Sequence, residues 1–274
     1  MITAAFPTSD IDPCLLYLLF LKLIRILPKQ EVNLIKDIVK NSTIHVFPRG
    51  IESIRKNEFL YCSVRRVNIP DSVITIRERA FAGCYRLSVV NIPDSVTTIE
   101  ESAFAGCYSL SVVNIPKSVT TIGKYSFYKC YGLQTVNIPE GVTMIEKCAF
   151  QYCSGLLSVN ISSKVTIIET YAFCGCSSLQ NVNIPDSVTT IGGYAFCRCH
   201  NLPKANIPKR VTTIGEHAFS ECHNLQKVNI PKNVTTIENY AFYDCSNLLK
   251  VNIPKGATNI GKYAFPEHTI INRI

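Results

Sequence analysis

Asn68, Asn91, Asn114, Asn137, Asn160, Asn183, Asn206, Asn229 and Asn252 follow one another at intervals of 23 residues without a slip. The same phrase surrounds each, clearest at residues 182–199, which read VNIPDSVTTIGGYAFCRC. A unit of this length cannot bury its apolar face alone, so stacked copies must bury it for one another. A chain built this way is a solenoid. The phrase runs from about 44 to 268 with no linker, which makes one elongated domain of most of the 274 residues.

Aligned on the period, the unit reads Leu-x-x-Val-Asn-Ile-Pro-x-Ser-Val-Thr-Thr-Ile-x-x-Tyr-Ala-Phe-x-x-Cys. Val-Asn-Ile alternates with the period of a half-buried strand, and Pro, which has no N–H for a ladder, ends it. Val-Thr-Thr-Ile alternates again and is rich in β-branched residues, which predicts a second short strand. Ala-Phe-x-x-Cys has helical spacing and predicts a single helical or 3₁₀ turn that closes the coil. Eight apolar columns (Leu, Val, Ile, Val, Ile, Ala, Phe and Cys) then point inward and stack from turn to turn.

An open coil needs covers at its ends. Residues 45–62 are a worn first repeat, one residue short. Before it, Asp12-Pro13 resembles a helix start, Pro28 a stop, and 30–40 a second amphipathic helix, so 1–43 are expected to form a helical N-terminal cap. At the other end 269–274 are expected to be a tail or cap, with Ile270, Ile271 and Ile274 folding back over the last turn. Residues 44–268 form the solenoid between them.

Thirteen cysteines invite a disulfide scaffold, but nine fall in one column of the repeat: Cys62, Cys84, Cys107, Cys130, Cys153, Cys176, Cys199, Cys222 and Cys245. Only Cys14, Cys148, Cys174 and Cys197 lie outside it. A long solenoid has its own core, and free Cys packs as a small hydrophobe, so the column reads as buried thiols. A hydroxyl in place of Cys130 is expected to lack a partner and to destabilise. Neighbouring turns hold such Cα atoms roughly 4.8 Å apart, within disulfide range, though parallel Cβ vectors strain a bridge.

The apolar run 14–21 has only Asp10 and Asp12 before it as charged residues, and no small-residue cleavage site after it. Lys22 and Arg25 interrupt it short of the roughly 20 apolar residues that a bilayer needs. A soluble helix fits it better. Together with the thiols, this favours a cytoplasmic location, with the cell surface as the alternative.

The phrase at 182–199 resembles the BspA-type leucine-rich repeat, a family with the same 23-residue unit and the same Ile-Pro, Val-Thr-x-Ile-Gly and Ala-Phe-x-x-Cys signatures. The resemblance covers about four-fifths of the chain. It implies a β-rich solenoid, a leucine-rich-repeat-type right-handed coil of about ten turns with a short helical N-terminal cap. It implies a non-enzymatic scaffold for protein binding or adhesion, with no catalytic residue and no cofactor to carry over. Family members include surface antigens of bacteria and protists and uncharacterised intracellular proteins.

In such a coil the residues flanking the strand Val face outward on the concave sheet. The Asn column lies there, and its amides are expected to form a ladder with capacity left over for a ligand. The formal charge of +8 is uneven: residues 57–197 are neutral, with 10 basic and 10 acidic side chains, whereas 198–274 carry 10 basic and 5 acidic. Lys204, Lys227 and Lys250 share the position before the strand Val. Lys209, Lys232 and Lys255 share the one after Pro, where earlier turns carry Asp71, Asp94, Glu140 and Asp186. Aligned like charges are unfavourable unless something anionic compensates. The candidate contact surface is therefore Asn183, Asn206, Asn229 and Asn252 with these six lysines, and the partner a protein or glycan, acidic where it meets the lysines. Nucleic acid fits poorly, because the central turns are neutral and the aromatics do not interleave with the lysines.

Cys197, Cys199, His200, Cys222 and His223 have the composition of a zinc site but match no standard ligand spacing. The five histidines lack a paired acid and nucleophile, and no Gly-rich phosphate loop is present. Residues 13–40, with Leu27-Pro28 before an amphipathic stretch, faintly resemble an F-box, which gives a ubiquitin-ligase adaptor as the rival reading.

Overall fold

A computed structural model describes residues 44–47 and 50–274. The N-terminal cap and the F-box-like segment lie outside the described residues. Within them the chain is a parallel β-solenoid of about ten turns. Eleven strands of three or four residues, from Ile44–Val46 to Ile270–Arg273, form one row, and ten two-residue strands, from Ser53–Ile54 to Asn259–Ile260, form a second. Where strands pair, each residue meets its equivalent one turn away, as in Val67↔Val90, Val90↔Val113 and Ile168↔Ile191. The Val-Asn-Ile alternation sets this directly: in Arg66–Asn68 and Val89–Asn91 only the central Val is buried.

The short first repeat is absorbed without loss of register. Cys62 sits 22 residues before its equivalent Cys84, whereas Val67 sits 23 before Val90. The missing residue therefore falls between Cys62 and Val67, where buried Val64 stands in for the Leu of later turns.

Eleven phenylalanines form the spine. From Phe59 to Phe265 successive rings lie 5.0–5.4 Å apart and within 11° of parallel. That spacing at that tilt is offset stacking, the arrangement that ring quadrupoles favour. Phe47 closes the N-terminal end edge-on against Phe59.

The Ala-Phe-x-x-Cys segment forms neither a helix nor a 3₁₀ turn, contrary to the spacing-based expectation. Alternate amides have different destinations. In residues 102–107, Ser102, Phe104 and Gly106 donate to the next coil (Lys124, Ser126 and Tyr128 carbonyls), while Ala103, Ala105 and Cys107 close local turns onto Glu100, Ser102 and Phe104. Two left-handed residues per turn make this zigzag. One column runs Tyr125, Cys148, Tyr171, Tyr194, His217 with φ of 53–61°, and the other lies four residues on at Lys129, Tyr152, Gly175, Arg198. Each bulky residue held there costs about 1–2 kcal/mol, which the inter-coil hydrogen bonds must offset.

Ser126 replaces the usual Ala beside Phe127, is fully buried, and its hydroxyl is the one buried side-chain polar atom without a partner among the described residues. Ser126→Ala is expected to raise stability by about 1–2 kcal/mol, read as a higher urea midpoint at unchanged m-value.

The thiol column is buried, and the twelve described cysteines are free. Each column thiol from Cys84 to Cys245 donates to a Phe carbonyl one turn back, for example Cys130 Sγ to Phe104 O at 3.2 Å and Cys153 Sγ to Phe127 O at 3.1 Å. This overturns the expectation that a hydroxyl at position 130 lacks a partner. The Phe104 carbonyl is aimed at it, and the penalty of Cys130→Ser reduces to a shorter side chain reaching for that oxygen.

The C-terminal residues do not fold back over the core. Ile270–Arg273 adds a further parallel strand beside Lys250–Ile253, and Ile270, Ile271 and Ile274 remain exposed. Among the described residues no helix is long and apolar enough to cross a membrane.

Candidate functional site

The long-strand row presents its outward side chains as two parallel columns. The Asn column is exposed along its whole length, with Asn160↔Asn183, Asn206↔Asn229 and Asn229↔Asn252 in register. Beside it, the position before the strand Val changes character along the axis. It reads Arg66, Val89, Val112, then Thr135, Ser158, Asn181, then Lys204, Lys227, Lys250. Val89 and Val112 are 42% and 58% exposed. The face thus passes from apolar through neutral polar to cationic.

Lys204 and Lys227 are direct register partners, and the Asn229↔Asn252 pair sets Lys250 next in line. All three are exposed, and no ion pair among the described residues reaches them. In the column after Pro, Lys209 lies 3.8 Å from Asp186 of the preceding turn, an exposed pair of little energetic weight. Lys232 and Lys255 extend the same exposed edge.

Asn183 stands apart from the other three. The ladder breaks between Val112–Asn114 and Thr135–Asn137, and again between Asn181–Asn183 and Lys204–Asn206. At the equivalent position of other turns, Gln180 and Gln226 donate their amides to the preceding turn (Leu157 and Pro203 carbonyls). Pro203 has no N–H to do so. The smaller Ala205 follows at the strand centre, and the neighbouring Val182 is only partly buried.

The expected amide ladder is not formed along the Asn column. Its one amide–amide bond among the described residues is Asn272 Nδ2 to Asn252 Oδ1 at 3.2 Å, to a strand that the repeat alignment did not reach. The ladder forms elsewhere, from Asn247 to Asn224 (3.3 Å) and from Asn224 to Asn201 (3.0 Å), in the column before Leu. Asn183, Asn206 and Asn229 therefore keep both donors and acceptors for other contacts.

A groove of about 790 Å³ lies on the same face nearer the middle, where Asn114, Asn137 and Asn160 meet Asp94, Lys117 and Glu140. These residues share columns with the candidate surface, but the sequence reading singled out only the C-terminal turns. A second recess of about 370 Å³ sits on the turn side, floored by Gly83 and Gly106 and walled by Tyr61, Tyr108 and Tyr128. Its tyrosines come from three different columns of the repeat, so only the fold brings them together.

The zinc-like residues separate. Cys199 and Cys222 point into the core and donate to the Phe173 and Phe196 carbonyls. His200 and His223 point outward, Nδ1 to Nδ1 at 3.0 Å, and His223 Nε2 meets Asp244 Oδ2 at 3.2 Å. Burial, then the neighbouring His223, holds the His200 imidazole below its ordinary range. Among the described residues no group of three His, Cys, Asp or Glu side chains is arranged to hold a metal ion.

The repeat matches the family described as BspA type Leucine rich repeat region (6 copies), over residues 39–157 and 145–272. No curated protein matches the chain. Among solved structures, a leucine-rich repeat protein from Bacteroides ovatus is 29% identical with a TM-score of 0.66. That match covers 85% of this chain and 66% of the other, so this chain spans just under two thirds of that protein's length. The leucine-rich repeat protein of T. pallidum is 32% identical over 60% of this chain and 79% of its own, with a TM-score of 0.57. The pneumococcal vaccine antigen PcpA has the same fold at 19% identity, with a TM-score of 0.55 over 85% of this chain and 69% of its own.

Proposed function

Since the chain belongs to the BspA-type leucine-rich repeat family, we propose that it is a non-enzymatic binding scaffold whose ligand lies along the outward face of the long-strand row. Asn183, Asn206 and Asn229 supply free amides, Asn252 its remaining donor beside the bond that it accepts from Asn272, and Lys204, Lys227, Lys250, Lys209, Lys232 and Lys255 supply charge. The single observation that carries this reading is the in-register, exposed and unpaired Lys204–Lys227 stack beside Asn206–Asn229. Stacked like charges disfavour the free state, so an anionic ligand gains both attraction and relief of that repulsion. The ligand is an acidic protein segment or an acidic glycan. With this reading goes a cytoplasmic location, with the cell surface as the alternative.

Reversing Lys204, Lys227 and Lys250 to Glu tests the reading. The variant should keep the far-UV spectrum and urea midpoint of the parent while losing at least about tenfold in affinity for a polyglutamate peptide or a sulfated glycan. That expectation follows from about 0.5 kcal/mol for each of three exposed pairs, with repulsion added. Raised salt should weaken the parent's binding and leave the variant's unchanged. Equal affinities for parent and variant would remove the basic face from the function.

A further inference from the structure

Three of the described cysteines lie outside the core column: Cys148, Cys174 and Cys197. Cys174 and Cys197 occupy the same position of adjacent turns, immediately after the stacked rings of Phe173 and Phe196, whose centroids are 5.4 Å apart. The Gly175 amide donates to the Cys197 carbonyl at 2.7 Å, which clamps the two backbones together at this point. Equivalent positions on adjacent coils set the two side chains next to each other. Cα atoms on neighbouring coils at roughly 5 Å fall inside the range that a disulfide spans.

The pair differs from the core column in three ways. Cys176 and Cys199, two residues on, are 0% exposed, whereas Cys174 and Cys197 retain 4% and 5%. The core thiols Cys176 and Cys199 donate to the Phe150 and Phe173 carbonyls, whereas Cys174 and Cys197 lie outside that carbonyl-bonded column. Gln151 and the Arg198 charge favour the Cys174 thiolate, and the Glu221 charge opposes it. The neighbouring Cys197 first, then these groups, hold the Cys174 thiol below its ordinary range despite burial, while the neighbouring Cys174 pushes the Cys197 thiol up. Cys174 is therefore assigned the first attack and Cys197 the second.

We propose that Cys174 and Cys197 are a modification site: a dithiol that a hydroperoxide converts to an inter-turn disulfide. The Cys174 thiolate attacks one peroxide oxygen, and the O–O bond breaks. The departing oxygen leaves as water or alcohol with a proton, and Cys174 becomes a sulfenic acid. The Cys197 sulfur then attacks the Cys174 sulfur. The S–O bond breaks, and the hydroxyl leaves as water with the Cys197 proton. Two thiols and one hydroperoxide give one disulfide, one water and one alcohol (a second water when the oxidant is hydrogen peroxide). This chemistry is independent of the ligand-binding reading above, because the pair lies on the turn side, away from the Asn and Lys columns.

The test uses the full reduced chain exposed to hydrogen peroxide, then alkylated, cleaved after aromatic residues and mapped by mass spectrometry. The expected product is a Cys174–Cys197 linkage that a dithiol reductant reverses. In parallel, Cys197→Ser should stop at a Cys174 sulfenic acid trapped by dimedone, Cys174→Ser should abolish the reaction, and Cys176→Ala should leave it intact. Linkage of Cys174 to Cys148, oxidation that halts at sulfenic acid in the parent, or no reaction would each overturn the assignment. The parent's map decides even if a variant fails to fold.

Discussion

Raising the pH above about 9 is expected to unfold the solenoid within roughly one pH unit, far more steeply than in proteins with few thiols. Burial pushes the Cys153 and Cys245 thiols up to about 12, and Cys84, Cys107, Cys130, Cys176, Cys199 and Cys222 are also raised, with burial the first cause in each. In the unfolded chain a thiol ionises near its ordinary value of about 8.5. Above that pH the unfolded state binds fewer protons than the folded one, so stability is complete below about 8.5 and is lost as pH climbs toward the folded values. Each thiol contributes about 1.4 kcal/mol per pH unit, and eight together about 11, comparable with the whole stability of a typical domain. Circular dichroism across an alkaline titration reads this directly. Replacing Cys130, Cys153 and Cys176 by Ala should flatten the slope by about 4 kcal/mol per pH unit. A fold that persists unchanged to about pH 11 would mean that water reaches the column.

Phe173→Ala should lower stability by about 3–5 kcal/mol, the range for deleting a ring from a packed core. Phe173 is fully buried, lies between Phe150 and Phe196 at 5.4 Å on either side, and its carbonyl accepts the Cys199 thiol. Removing the ring leaves two neighbours facing a void. Phe265→Ala should cost about half as much, because Phe265 is 9% exposed and stacks only on Phe242. Urea denaturation compares the two. The central variant should also broaden the transition, since each turn contacts only its neighbours and a weakened middle turn lets the halves melt separately. Equal losses at the two positions would contradict a spine held by nearest-neighbour stacking.

The thiol column, the Phe spine and the two strand rows were all legible in the sequence, because each is one residue type repeated at a fixed offset. The form of the closing turn was not. Ala-Phe-x-x-Cys has helical spacing, yet the left-handed position before Ala carries Tyr125, Tyr171 and Tyr194 and never Gly, so no local signal marked the backbone reversal. Gly83, Gly106 and Gly175 did mark the second left-handed column. The Asn column showed its alignment in the sequence but not its hydrogen bonding. Stacked amides bond only when their rotamers agree, and here the ladder formed through Asn201, Asn224 and Asn247. The Cys174–Cys197 pair was readable as two cysteines 23 residues apart, but not as a pair set apart from the carbonyl-bonded thiols.

By itself the sequence determined that the chain coils with a 23-residue period, which residues face inward, and where the lysines line up. A period of that kind is a one-dimensional constraint, and stacking one unit on the next converts it into register. Tertiary structure alone decided where each amide and thiol sends its hydrogen bond, where the long-strand row is interrupted, and which side chains from different columns meet in one groove. Those outcomes depend on side-chain rotamers and on contacts between turns, and neither leaves a trace in residue spacing.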